Sequence, residues 1–252
     1  MLSKNAIKRI AALRTKKHRK ETNQFIAEGQ KLVEDLLLSG INIKNIYHTA
    51  ALAPLGLSKS VDVEIITEQE MKKISGLTTP TPVLAIADIP QHSYNETELS
   101  QSLSIALDDI QDPGNLGTII RLADWFGFDF LLCSKGTVDA YSPKVVQASM
   151  GAVARVKIVE VDLPQLIGNL AQKGVPIYGT FLNGTDIYNE SLTQNGIVIM
   201  GNEGNGISNE IEMLVNKKLY IPTFAKGNLT SESLNVAMAT AIICSEFRRR
   251  KV

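Results

Sequence analysis

The feature that most constrains this chain is a repeated alternation running through its second half. Short apolar runs at residues 105–107, 128–132, 175–178, 197–200 and 219–221 are separated by longer stretches that carry helical spacing. Strands that are apolar throughout are buried on both faces, and strands alternating with helices build a mainly parallel sheet. An α/β domain is therefore expected over residues 104–252. Within it Ser142-Pro143 reads as an N-cap followed by proline in the first turn, and residues 233–250 read as a long amphipathic helix.

Upstream, the pattern is different. Leu32, Val33, Leu36 and Leu37 have helical spacing within residues 28–39, closed by Ser39-Gly40. Residues 43–47 look extended, residues 61–66 alternate apolar with acidic side chains, and residues 83–87 form another short apolar strand. Thr67-Glu68-Gln69-Glu70 is a capping box that opens a short helix. Residues 91–102 are polar and aperiodic, which predicts an interdomain linker and a first, small α/β domain over residues 1–95.

With 44% hydrophobic and 21% charged residues the chain can bury a sizeable core, which excludes a disordered protein. Basic and acidic residues number 26 each, so net charge neither favours nor forbids an anionic partner. The distribution is uneven, however. Lys4, Lys8, Arg9, Arg14, Lys16, Lys17, Arg19 and Lys20 precede the first acid, Glu21. Such a run is commonly a solvated helix face; next to a nucleic-acid enzyme it becomes a phosphate-binding surface. Cys133 and Cys244 lie far apart in apolar runs, so buried thiols are expected rather than a disulfide or a metal site. No apolar stretch has the length of a membrane span, and the N-terminus lacks the apolar core of a signal peptide, so a cytoplasmic protein is expected.

Ligands of α/β sheets bind at the carboxyl ends of strands, and three segments placed there are unusual. The first runs from Leu107 through Pro113-Gly114-Asn115 to Gly117 and Arg121, where an arginine on an apolar helix start calls for an anion. The second, Gly201-Asn202-Glu203-Gly204-Asn205-Gly206, follows a buried strand and sets one acid among small residues. Its spacing fits neither the dinucleotide fingerprint nor a P-loop, which argues against a nucleotide-dependent oxidoreductase. The third runs from Ile221-Pro222 to Ser233-Leu234-Asn235, where Ser231 or Ser233 is an ordinary N-cap candidate and Asn235 lies just inside an apolar helix.

Together these segments resemble the SPOUT superfamily of RNA methyltransferases, in its SpoU-like ribose 2′-O-methyltransferase branch. Asn115, Gly117 and Arg121 match the first motif of that family, Gly201, Glu203, Gly204 and Gly206 the second, and Ile221-Pro222 with Ser233-Leu234-Asn235 the third, in the expected order. Phe25-Ile26-Ala27-Glu28-Gly29 in the basic N-terminal part is similar to the small substrate-binding domain often fused ahead of it. The loop over residues 223–232 departs from the pattern by its length, which bears on the cofactor contacts.

The resemblance implies a parallel sheet with a C-terminal deep trefoil knot, S-adenosyl-L-methionine as cofactor, a homodimer, and RNA as substrate, with ribosomal RNA ahead of transfer RNA. It implies a catalytic role for Arg121, supported by Asn115, Glu203, Ser233 and Asn235. It places the cofactor at Met200, Gly201, Gly206, Ile221 and Leu234, and RNA phosphates at Lys4, Lys8, Arg9, Arg14, Lys16, Lys17 and Arg19. Two alternatives stay open: a catalytically silent RNA-binding module of the same fold, and methylation of a base.

Overall fold

The computed structural model describes residues 1–49, 61–225 and 232–250. The chain divides into two compact units, Met1–Gln91 with Asp139–Arg155, and His92–Val138 with Val156–Val252. In chain order the elements begin α1 (Lys4–Ala12), α2 (Lys16–Thr22), β1 (Gln24–Glu28), α3 (Gln30–Leu38), β2 (Ile43–His48), β3 (Asp62–Ile65), α4 (Glu68–Ile74), β4 (Val83–Asp88) and α5 (Glu96–Gln101). They continue β5 (Leu103–Leu107), α6 (Pro113–Phe126), β6 (Phe130–Ser134), α7 (Pro143–Ser149), β7 (Lys157–Val161), α8 (Leu163–Gln172), β8 (Ile177–Asp186), β9 (Gly196–Met200), α9 (Asn209–Glu212), β10 (Lys217–Tyr220) and α10 (Val236–Arg249).

The first unit is built on a sheet of order β1-β4-β2-β3 in which β4 runs antiparallel to both neighbours and β2 and β3 are parallel. Ile10, Leu13, Ile26, Tyr47, Met71, Ile74, Leu84 and Ile86 form its core. The capping box is present: the Thr67 hydroxyl accepts from the Glu70 backbone N–H, and the Glu70 carboxylate accepts from that of Thr67. The same carboxylate accepts from Leu2 N at 2.6 Å. Hydrogen bonds from the Thr67 and Leu2 backbones, then from the Thr67 hydroxyl, lower its pKa to about 2.

Two features of this unit depart from the sequence pattern. Helical spacing places Glu28 at the start of a helix, but it closes β1, because Phe25, Ile26 and Ala27 are buried and Gly29, at φ +112°, turns the chain before α3 begins. Residues 139–155, whose position in the sequence assigns them to the second domain, pack in the first unit. There α7 lies on β1, the Phe25 and Tyr141 rings are 5.3 Å apart, and Arg19 donates from Nε and Nη2 to Asp139 at 2.9 and 2.6 Å.

The second unit holds six strands, all parallel, in the order β10-β8-β9-β5-β6-β7. β5 and β9 are buried at every position, and a core including Ala106, Phe130, Leu132, Ile167, Leu170, Ile197 and Ile199 fills the space under α8. Half of the expected linker is instead α5, because Asn95 caps it through Glu98 N and Leu99 is fully buried in this core. β7 carries no continuous apolar run, because Lys157 and Glu160 are exposed on it.

α6 and α10 are each 14 residues long and run side by side in the same direction. Asn115 and Asn235 meet at their N-terminal ends. At the other end, Arg248 donates to the carbonyls of Phe126 and Gly127, closing α6, and lies over the Phe128 ring. Cys133 and Cys244 are free and buried, and burial pushes both thiols up to about 12. Among the described residues no helix is long and apolar enough to cross a membrane.

Candidate active site

β5 and β9 are neighbours at the point where the sheet changes direction: β5 leads to β6 and β7 on one side, while β9, β8 and β10 lie on the other. A crevice opens outside the carboxyl ends at such a switch, and both unusual glycine-containing loops leave from it.

The loop after β5 passes through Asp108 and Asp109, the latter at φ +57°, into α6. Asp112 caps that helix by accepting from Asn115 N at 2.8 Å, with Pro113 in the first turn. The loop after β9 folds back on itself. Asn202 and Gly206 exchange backbone hydrogen bonds at 2.9 Å each, and a Cβ on Gly201 would lie 2.3 Å from the Gly206 carbonyl carbon and from Ile207 N. Only glycine fits at position 201, a signal visible in the sequence as spacing without a stated cause.

This fold-back carries Glu203 at its tip. Its Oε2 accepts from Gln111 N at 3.1 Å, and its Oε1 accepts from Asp112 N at 3.1 Å and from Asn115 Nδ2 at 3.0 Å. Burial raises the carboxyl pKa, but the hydrogen bonds from Asn115, Gln111 and Asp112 outweigh it and hold the group below the usual carboxylate range. Asn115 Oδ1 in turn accepts from Asn235 Nδ2 at 2.9 Å, and Asn235 Oδ1 accepts from Ala237 N and Met238 N. A carboxylate can only accept, so Glu203 fixes the direction of every donor in this chain back to the start of α10.

Three of the candidate catalytic residues are thus brought together, Asn115, Glu203 and Asn235. Asn235 is the N-cap of α10, which corrects the reading of Ser233 as its start; two acceptor bonds to the first turn explain the shift. Ser233 is exposed outside this network, and Ser231 lies outside the described residues. Arg121 is exposed on α6 and makes no hydrogen bond or ion pair with another described residue.

Among the candidate cofactor residues, Met200 and Gly201 are buried, Gly206 is exposed at φ +71°, Ile221 is half-buried and Leu234 is 51% exposed. Of the long loop only Thr223, Phe224, Ala225 and Glu232 are described; residues 226–231 lie outside the described residues.

In the basic block, Lys4, Lys8, Arg9, Lys16, Lys17 and Lys20 are exposed. Burial raises the Tyr47 pKa against the lowering effect of the nearby Arg9 charge, and Lys17 is 3.9 Å from Glu21. Arg14 donates to the carbonyls of Ile74 and Ser75 at the end of α4. Arg19 is corrected outright. At 3% exposure, with its guanidinium on Asp139 and on Leu13 O at 2.8 Å, it is an internal tie and not a surface group.

Sequence reasoning missed Gln111, Asp112 and Asn202 as parts of the site. Asn202 Nδ2 donates to Asp109 O at 2.7 Å and its Oδ1 accepts from Gly204 N and Asn205 N. The signal was present, since asparagine and aspartate in glycine-containing turns bond their own backbone.

The chain is similar to known RNA methyltransferases. A model described as the SpoU rRNA Methylase family matches residues 102–245, and one described as the MRM3-like substrate binding domain matches residues 4–85. The 23S rRNA (guanosine(2553)-2′-O)-methyltransferase RlmP of Bacillus subtilis is 33% identical over 239 residues, covering 94% of this chain and 93% of that one. A TrmH-family structure from Porphyromonas gingivalis is 40% identical with a TM-score of 0.89 over the whole of both chains. An AdoMet-bound rRNA methyltransferase from Sinorhizobium meliloti is 31% identical with a TM-score of 0.83, covering 100% of this chain and 97% of that one.

Proposed function

Because the chain belongs to the SpoU rRNA methylase family, we propose that it transfers a methyl group from S-adenosylmethionine to a ribose 2′-hydroxyl of ribosomal RNA. The observation that carries this reading is the hydrogen-bonded line Glu203–Asn115–Asn235, which joins all three segments at the start of α6, the helix that carries Arg121. In this reading residues 104–252, apart from residues 139–155 that pack in the first unit, form the methyltransferase domain, including the C-terminal trefoil knot, and residues 1–95 the substrate-binding domain.

Met200, Gly201, Gly206, Ile221 and Leu234 would hold the cofactor, which when bound supplies an electrophilic methyl group. The chain's own task is to align the ribose hydroxyl and ease the loss of its proton. A guanidinium holds its proton too firmly to act readily as a base. Arg121 therefore clamps the RNA phosphate next to the target ribose, while Asn115, held by Glu203 and Asn235, and Ser233 near them position the sugar. The exposed lysines of the first unit, Lys4, Lys8, Lys16 and Lys17, with Arg9, add phosphate contacts.

A homodimer belongs to the same reading. Trp125 near the end of α6 is 85% exposed and Met238 in the first turn of α10 is 60% exposed, large apolar side chains that a second copy would cover. A cytoplasmic location belongs to the same reading, supported by the likeness to a bacterial relative.

The test is methyl transfer from labelled S-adenosylmethionine to total RNA of a strain lacking this protein, beside Arg121→Ala, with the product nucleosides and their parent RNA identified. Label in a 2′-O-methylnucleoside of ribosomal RNA, lost in the variant, is expected. Label in transfer RNA or in a methylated base, or cofactor binding without transfer to any RNA, would overturn the proposal.

A further inference from the structure

Asp108 is the first residue after β5, and it is 6% exposed. Its backbone N–H donates to Met200 O at 2.9 Å, where the glycine loop begins, and its Oδ2 accepts from Ser208 N at 2.7 Å, where that loop ends. One residue therefore holds both mouths of the loop that carries Gly201, Glu203 and Gly206. Asp109 adds a third tie, since its carbonyl accepts from Asn202 Nδ2 at 2.7 Å. Asp109 can do so because its backbone is left-handed, with the Ser134 hydroxyl donating to its Oδ1 at 2.6 Å and accepting from its N–H at 3.0 Å.

We propose that Asp108 is a positioning residue that presets the 201–208 loop for the cofactor, acting through Ser208 and never touching the reacting atoms. The proposal rests on the reading above in which this loop holds S-adenosylmethionine. The ends of a loop this rich in glycine have many conformations when free, and fixing them in the unliganded protein removes an ordering cost that binding would otherwise carry. An apolar side chain at position 108 could not do the same, because it would offer no acceptor to the Ser208 N–H, whose bond to Asp108 is part-buried.

The test is calorimetric binding of S-adenosylmethionine to the full chain, with RNA affinity and Tm measured beside it. Asp108→Ala removes the acceptor. Ser208→Pro removes the donor at a position whose φ of −62° already suits proline, and it leaves Asp108 in place. Asp108→Asn keeps an acceptor oxygen. Gly201→Ala deforms the loop directly through the 2.3 Å clash.

Asp108→Ala and Ser208→Pro are each expected to weaken the cofactor about 10- to 100-fold, the range for losing a hydrogen bond to a charged group. The two losses should not add in the double variant. Asp108→Asn should recover most of the affinity, and RNA affinity should hold. If Gly201→Ala weakens the cofactor but Asp108→Ala and Ser208→Pro leave it within about twofold, the error allowed for additivity of such effects, this inference alone is overturned. If Gly201→Ala also leaves binding unchanged, the loop does not hold the cofactor, and the reading beneath the inference fails as well. Loss of cofactor and RNA affinity together with a lowered Tm would reduce Asp108 to a structural role and overturn the inference.

Discussion

Arg19→Ala is expected to unfold the first unit far more readily while leaving its RNA-facing surface as it was. The side chain is 3% exposed and its three donors reach Asp139 and Leu13 O, while the Asp139 side chain is itself only 16% exposed. Removing one partner of such a pair strands the other, at a cost of about 3–5 kcal/mol. With a urea slope of ~1–3 kcal/mol/M the midpoint falls by roughly 1–5 M. Hydrogen exchange at the amides of α2 and β1 during urea unfolding reads this unit separately from the other. Arg19→Met with Asp139→Asn removes both charges and keeps the Oδ1 that accepts from Tyr141 N, so it should cost less than Arg19→Ala. A midpoint shift below about 0.3 M, the scale of an ordinary surface substitution, together with a loss of RNA affinity, would refute the reasoning and return Arg19 to the RNA surface.

Three further outcomes are expected. Asn235→Asp keeps the cap on α10 but cannot donate to Asn115, so thermal stability should hold while kcat falls about tenfold or more, whereas Asn235→Ala loses both and costs an additional ~1 kcal/mol of stability; equal kcat for the wild type and Asn235→Asp would remove the network from the mechanism. Glu70 has a folded pKa of about 2 against an ordinary 4.5, so its contribution is complete above pH 4.5 and is lost as the pH falls towards 2. Glu70→Gln should flatten the stability profile in that window, and an unchanged slope between the two proteins would contradict the hydrogen bonds assigned to it. Replacing Lys4, Lys8, Lys16 and Lys17 with serine should leave Tm unchanged and reduce the slope of log affinity against log salt by about 0.7–0.9 for every phosphate no longer neutralised; an unaltered slope would mean that these lysines are only a solvated face.

The parallel core of the second unit was legible because β5 and β9 are apolar at nearly every position and buried at all of them, and burial on both faces leaves little room for any other composition. β7 and α5 were not, because an edge strand with Lys157 and Glu160 and a helix anchored by Leu99 alone fall below any periodic signal. At the site, the spacing of Asn115, Glu203 and Asn235 was readable only as a resemblance. The reason they share a place is tertiary, namely that the glycine loop doubles back at Gly201 and α10 begins at Asn235 beside the start of α6. Charge was the least reliable guide. Of neighbouring basic residues in one run, Lys16 and Lys17 are exposed and Arg19 is internal, a difference set by Asp139, which lies 120 positions away.

The inclusion of residues 139–155 in the first unit imposes an order on biosynthesis. Residues 1–91 leave the ribosome ahead of residues 139–155, so they lack Tyr141 against Phe25, α7 against β1 and the counter-ion of Arg19 until Arg155 has been added. At ~5–20 residues per second that is a wait of about 3–13 s. Through it the nascent chain exposes the apolar surface of β1, and the start of the second sheet, β5 and β6, emerges before the first unit can close. A chain of this design meets the cell's chaperones with its earliest part unfinished, and a fragment ending near residue 91 would remain in that state.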